Sequence, residues 1–200
     1  MKNVSSLTGI LAGFASLLIL VCLFTPIWKI DLSAPQYPEG VSMQIWSSKL
    51  SGNIETVNIL NHYIGMSPIQ QENFPEFKFL NFVLLGLSLF GLLSAIAAKK
   101  LPALLYVWAV SLMVFVVAGL YDFWKWGYEY GHRLNPDAPM KLEGMNYQPP
   151  LIGTKSILNI DASSYPDIGG IAFGLALLLA IIACILRVRE SRKNAQNPTL

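Results

Sequence analysis

Charge is scarce in this chain. Asp, Glu, Lys and Arg make up 13% of its 200 residues, and 54% are hydrophobic. A soluble globular domain carries about 25% charged residues. Mean hydropathy is +0.48, so the composition excludes an ordinary soluble domain and predicts an integral membrane protein. Cysteine is also scarce. Cys22 and Cys184 form no CxxC or Cys/His spacing, which excludes a structural zinc site. There is no glycine-rich phosphate loop and no nucleophile elbow. Glu72 and Glu76 flank Phe74-Pro75, a pairing too common to imply acid–base catalysis. The long polar segments are net acidic, which excludes a basic nucleic-acid surface. No enzymatic activity is expected.

The apolar runs predict an all-α membrane protein with four transmembrane helices. Residues 1–28 are the N-terminal segment and first span, with no charge from Leu7 to Trp28. That run is long enough to cross a hydrocarbon core of about 30 Å. Thr25-Pro26-Ile27-Trp28 is not a small-residue cleavage site, so the segment reads as a retained anchor rather than a signal peptide. Residues 79–98 and 101–121 are the second and third spans, a hairpin with Lys99 and Lys100 at its tip and Pro102 in a first helical turn. Residues 168–186 are the fourth span, followed by a basic tail at 187–200. The loops at 29–78 and 122–167 are expected to pack into a small extracytoplasmic cap. Within them Val41–Leu50 reads as a strand or a short helix. Residues 53–66 read as a helix with Asn53 as N-cap and Gly65 as its stop. The aromatic stretch Asp122–Gly131 extends the third span through the interface as an aromatic belt.

Orientation follows from where the basic residues cluster. Lys2, Lys99, Lys100, Arg187, Arg189, Arg192 and Lys193 hug the ends of the spans, whereas the other seven are spread through the two long loops. The positive-inside rule then places both termini in the cytoplasm and the loops in the periplasm of a bacterial inner membrane. None of the four runs contains Asp, Glu, Lys, Arg or His, so they read as an anchor and packing scaffold rather than an ion pathway. Gly9-xxx-Gly13 and Gly170-xxx-Gly174 permit close helix contacts. Cys22 and Cys184 fall at opposite depths, which predicts two free thiols.

Function is therefore expected in the loops. Both histidines lie there, with Met43, Met66, Met140 and Met145, four of the six methionines. On a helix over 53–66, His62 and Met66 are i,i+4 neighbours on the face that also carries Glu55 and Ile59. An imidazole beside a thioether is a partial site for a soft metal, copper(I) above all. Loop two could complete it with His132, Met140 or Met145. Against this stand methionines that merely fill gaps under loops and a His132 solvated beside Gly131 and Arg133.

Several long motifs resemble one family. They are Trp28–Gly40 (WKIDLSAPQYPEG), Leu60–Met66 (LNHYIGM), Phe74–Phe77 (FPEF), Trp126–His132 (WGYEYGH) and Gly144–Gly153 (GMNYQPPLIG). Together they resemble a poorly characterised family of four-span bacterial membrane proteins associated with gene clusters for maturation of nitrous oxide reductase, a periplasmic copper enzyme. The resemblance implies an inner-membrane accessory protein in copper handling or copper-enzyme maturation. Its implied partners are a copper chaperone, the copper enzyme or a permease, and its candidate copper ligands are His62, Met66, His132 and Met145. Two other readings compete. One is a structural subunit that binds no metal and docks through Phe123–Tyr130. The other is a lipid or quinone site near Trp124 and Trp126.

Overall fold

The computed structural model describes residues 2–140, 146–157 and 159–196. Its helices are α1 (Lys2–Val21), α2 (Ile54–Ile64), α3 (Leu80–Ala97), α4 (Pro102–His132) and α5 (Ile168–Gln196). Its strands are β1 (Trp28–Ala34), β2 (Tyr37–Ile45), β3 (Leu50–Gly52), β4 (Gly153–Ile157) and β5 (Ile160–Pro166). The expectation of an all-α protein with four spans is therefore wrong on two counts. The polar segments build a five-stranded antiparallel sheet. Among the described residues, three helices, α3, α4 and α5, are long and apolar enough to cross a membrane. The first run is not among them, since the apolar part of α1 whose side chains are described, Ser6–Val21, is shorter than those three. Tight turn bonds then follow through Phe24, and Trp28, read as the membrane end of an anchor, opens β1 instead.

The chain divides into two compact units. One is helical and comprises the chain up to Phe24, Asn81–Val116 and the chain from Gly169. Its side chains are arranged as lipid demands. The buried residues of α3 are Leu84, Ser88, Gly91 and Ser94, whereas Phe82, Leu89, Leu93 and Ile96 are exposed. Burying small residues and exposing large apolar ones is how helices associate in a bilayer, where close backbone approach replaces the hydrophobic effect. A Cβ on Gly9 would lie 2.9 Å from the Ala95 carbonyl oxygen, so α1 and α3 nearly touch there. Ser88 Oγ donates to the Ser16 carbonyl at 2.8 Å, and the buried Trp108 Nε1 donates to the Leu87 carbonyl at 2.9 Å. Gly174 has nothing within 4 Å of its Cβ position, so it serves no such contact. Cys22 and Cys184 are both free thiols.

The second unit, Thr25–Leu80 with Val117–Ile168, holds the sheet in the order β3-β2-β1-β5-β4. β1 is central because it alternates fully. Trp28, Ile30, Leu32 and Ala34 face inward, and Lys29 pairs with Asp31 at 2.9 Å on the other side. Register sets apolar residues opposite one another, Ile30 against Met43 and Leu32 against Val41. On the other flank β5 offers only Ala162 and Ser164 opposite Leu32 and Ile30. Small residues there leave room for bulk, and Trp28 Nε1 donates to Ser164 Oγ at 2.8 Å. The core joins Ile30, Val41 and Met43 of the sheet to Val57 of α2 and Ile69.

The aromatic stretch ending α4 divides between two faces and is not a uniform belt. Phe123, Trp126 and Tyr130 pack inward against the sheet core, with Trp28 tilted against Phe123 and Phe74 against Trp126, both pairs 5.3 Å between ring centres. Tyr121, Trp124 and Tyr128 form an exposed ladder on the other face.

Glu76 approaches this helix in a short 3-10 turn, Pro75–Lys78. Its Oε2 is buried with no hydrogen-bond partner among the described residues. Burial foremost, then the neighbouring Asp122 carboxylate, raises the Glu76 carboxyl above its ordinary 4.5, against a lowering backbone hydrogen bond. The folded state then holds this proton more tightly than the unfolded chain. The Glu76 contribution to stability is therefore full below pH 4.5 and falls as pH rises through the raised value. Glu76→Gln should flatten that fall and melt higher than wild type at neutral pH. Thermal melts of both proteins in detergent between pH 4 and 7 check this, and parallel curves would contradict it.

Candidate functional site

The site is built on the C-terminal end of α2. Val57, Leu60, Asn61 and Ile64 recur at helical spacing and bury one face. This leaves Glu55, Ile59 and His62 exposed on the other. Asn53 occupies the N-cap position but makes no side-chain cap. Its Oδ1 instead accepts the Ser42 backbone N–H at 3.2 Å, tying the helix start to β2.

Gly65 ends the helix in the left-handed conformation, φ 80°. Gly65 N–H donates to the His62 carbonyl at 3.3 Å and Met66 N–H to the Asn61 carbonyl at 2.9 Å. This paired reversal is a Schellman motif. It folds Met66 back beside His62, so their proximity is a property of the cap as well as of helical spacing.

The last carbonyls of a helix need partners from elsewhere. Here the segment after α4 supplies them. Asn135 N–H donates to the Gly65 carbonyl at 2.7 Å and Met140 N–H to the Tyr63 carbonyl at 2.9 Å. Asn135 Oδ1 accepts the Asp137 N–H at 3.0 Å, which turns the segment between those two contacts. A Cβ on Gly65 would lie 2.9 Å from Ala138 Cβ, so the fit requires glycine here for space as well as for φ.

Between these segments lies an open cavity of about 400 Å³ lined by His62, Met66, Ser67, Arg133, Leu134 and Asn135 together with Gly65 and Pro68. Its floor is apolar: Met66 and Leu134 pack on the cluster of Ile64, Tyr147, Ile157 and Ala162. Arg133 is mostly exposed and reaches Glu129 at 4.0 Å. No carboxylate lines the cavity among the described residues.

His62 and Met66, expected as ligands, thus share one cavity. His132 does not line it. α4 runs on to His132, and its ring turns back onto Tyr128, with centres 3.9 Å apart and Nδ1 2.9 Å from the Tyr128 carbonyl. A carbonyl only accepts, so Nδ1 carries the proton in that contact. Met145 lies outside the described residues. Met43 is 2% exposed in the sheet core and is a packing residue. Sequence reasoning passed over Arg133, Ser67 and Asn135 in the cavity wall, and also Tyr147, whose ring is 1% exposed beneath it. Their only sequence signal was position: Arg133 directly follows a singled-out histidine.

The donor chemistry fits some metals and not others. Among the described residues no three His, Cys, Asp or Glu side chains converge, which is the set that zinc or a hard cation requires. One imidazole and one thioether, both neutral, fit a soft monovalent ion of low coordination number. The His62 imidazole makes no hydrogen bond among the described residues, so either ring nitrogen can donate.

No family model, curated protein or solved structure matches this chain. What can be said of its chemistry therefore comes from its own residues. Its class is that of a protein with apolar helices long enough to cross a membrane and a separate antiparallel sheet unit carrying a two-segment cavity.

Proposed function

We propose that this is a bacterial inner-membrane accessory protein that handles copper(I) in the periplasm during assembly of a copper enzyme of the nitrous oxide reductase type. Its main support is the shared cavity, which His62 and Met66 both line and which, among the described residues, no carboxylate lines. Copper(I) is cargo here. Two neutral donors at an exposed site hold it weakly enough to pass on, to a chaperone, the copper enzyme or a permease. Lys99 and Lys100, with the basic run from Arg187 to Lys193, lie on the cytoplasmic side, and the acid-rich sheet unit lies in the periplasm. The family resemblance of Leu60–Met66 and Trp126–His132 points the same way.

The test is copper(I) stoichiometry on anaerobically purified protein. Wild type should hold about one copper per chain, and His62→Ala should lose it by more than tenfold in affinity, roughly the least that losing a support of a metal ligand costs. A wild type that retains no copper would overturn the reading.

A second reading has its own observation. Tyr121, Trp124 and Tyr128 are in successive ring contact and exposed on one face of α4. Aromatic residues are enriched where proteins meet. A scaffold subunit docking through this ladder would co-purify with its partner and lose it in Trp124→Ala, with no dependence on copper.

A further inference from the structure

We infer that Met140 is the third copper(I) donor of the His62–Met66 site. This rests on the copper reading above and specifies its coordination. Copper(I) accepts a third soft donor, which would tighten a site that one imidazole and one thioether hold weakly. Among the described residues only one further thioether is anchored beside His62. Met140 N–H is fixed to the carbonyl of Tyr63, the residue following His62, at 2.9 Å. The segment that carries it is pinned a second time by Asn135 at Gly65, 2.7 Å. Met140 does not line the cavity itself, but its backbone is held beside the end of α2 by two hydrogen bonds that also cap that helix.

The side chain is free to respond. Met140 is 47% exposed and belongs to neither buried cluster of the sheet unit. An unbranched thioether with three rotatable bonds can swing from solvent onto an ion at little cost. An exposed methionine next to a helix end contributes little to packing, so a ligand role accounts for a residue that stability does not. The other candidates are placed otherwise. Met43 is buried in the sheet core, and the His132 ring is stacked on Tyr128. Charge is consistent: His, Met and Met are all neutral, and the exposed Arg133 guanidinium beside the site is screened by solvent and by Glu129. The arrangement also suggests a route of transfer. A partner's thiolate or thioether would displace Met140 first, because its long side chain is held by the fewest contacts.

The test is anaerobic copper(I) titration of the full chain in detergent against a chromophoric copper(I) chelator, in wild type, Met140→Leu, Met66→Leu and Met145→Leu. Met140→Leu should keep wild-type circular dichroism, since it preserves volume at an exposed position. It should also lower copper(I) affinity by more than about tenfold. X-ray absorption of the loaded wild type should show two sulfur donors and one nitrogen, with one sulfur lost in Met140→Leu. Wild-type affinity in Met140→Leu, or its loss in Met145→Leu instead, would overturn the assignment and leave the copper reading standing. No copper in wild type would overturn both.

Discussion

Gly131→Val should unfold the sheet unit well below the temperature at which the wild type melts. Gly131 lies in the last turn of α4, where the segment 146–149 crosses it. A Cβ there would stand 2.4 Å from both the backbone N and Cα of Gln148. Main chain cannot rotate aside as a side chain can, so either the crossing segment or the helix must move. The crossing is also bonded, Tyr147 N–H donating to the Gly131 carbonyl at 3.0 Å. Displacing it withdraws Tyr147 from the cluster with Ile64, Ile157 and Ala162, on which Met66 and Leu134 rest. Overpacking a tight site costs about 1–3 kcal/mol and occasionally more. Backbone as the obstructing group places this one at or above about 3 kcal/mol, with a drop in melting temperature of about 6–12 °C. The cavity should be lost with it, and on the proposed copper reading copper(I) binding should fall although no ligand is touched. Circular dichroism melts in detergent of wild type, Gly131→Ala and Gly131→Val should rank in that order. A valine variant melting with wild type would mean that the crossing is not close.

What the sequence showed and what it hid follow from the range of the interactions involved. Long apolar helices are decided by composition over about 20 residues, and α3, α4 and α5 could be read from their runs. The stop at Gly65 is equally local, since a left-handed residue after a helix is usually glycine. The sheet was hidden for a physical reason. Trp28–Ala34 alternates cleanly, but Trp28 closes an apolar run and was read as its end, and the rest of the strand was read as loop. Its partner β5 buries Ala162 and Ser164, so the inward face of Ile160–Pro166 carries little apolar signal. Pro35 falls between β1 and β2 and Pro38 near the start of β2, so residues that usually end an element sit inside a paired hairpin. The site was half legible. His62 and Met66 meet through a helix and its cap, which spacing reveals. The approach of Asn135 and Met140 is made of backbone hydrogen bonds to Gly65 and Tyr63, and these leave no mark on residue identity. His132 misled because its number places it beside Arg133, whereas the helix turns its ring toward Tyr128.

Gly91→Leu should disrupt the helical unit as Gly131→Val does the sheet unit, and here an internal control exists. Three helices meet at Gly91. A Cβ would lie 2.5 Å from Cζ2 of Trp108 on α4 and closer still to Oγ of Ser16 on α1. Neither neighbour can yield cheaply. Trp108 is fully buried with its indole N–H bonded to Leu87, and Ser16 Oγ is bonded to the Ala12 carbonyl at 2.7 Å. In a bilayer, lipid competes for every apolar surface, so helices stay together through close packing at small residues rather than through burial itself. Leucine at position 91 raises hydropathy and helix propensity, both favourable to a single span, while removing the space that three helices share. Gly86, five residues earlier on α3, has nothing within 4 Å of its Cβ position. Gly86→Leu makes the same change in hydropathy and propensity and should melt at or above wild type. Gly91→Leu should lose about 3 kcal/mol or more and elute as aggregate or expanded species in size exclusion. Equal melting of the two variants would show that composition, not the packing of α1, α3 and α4 around one glycine, holds this unit together.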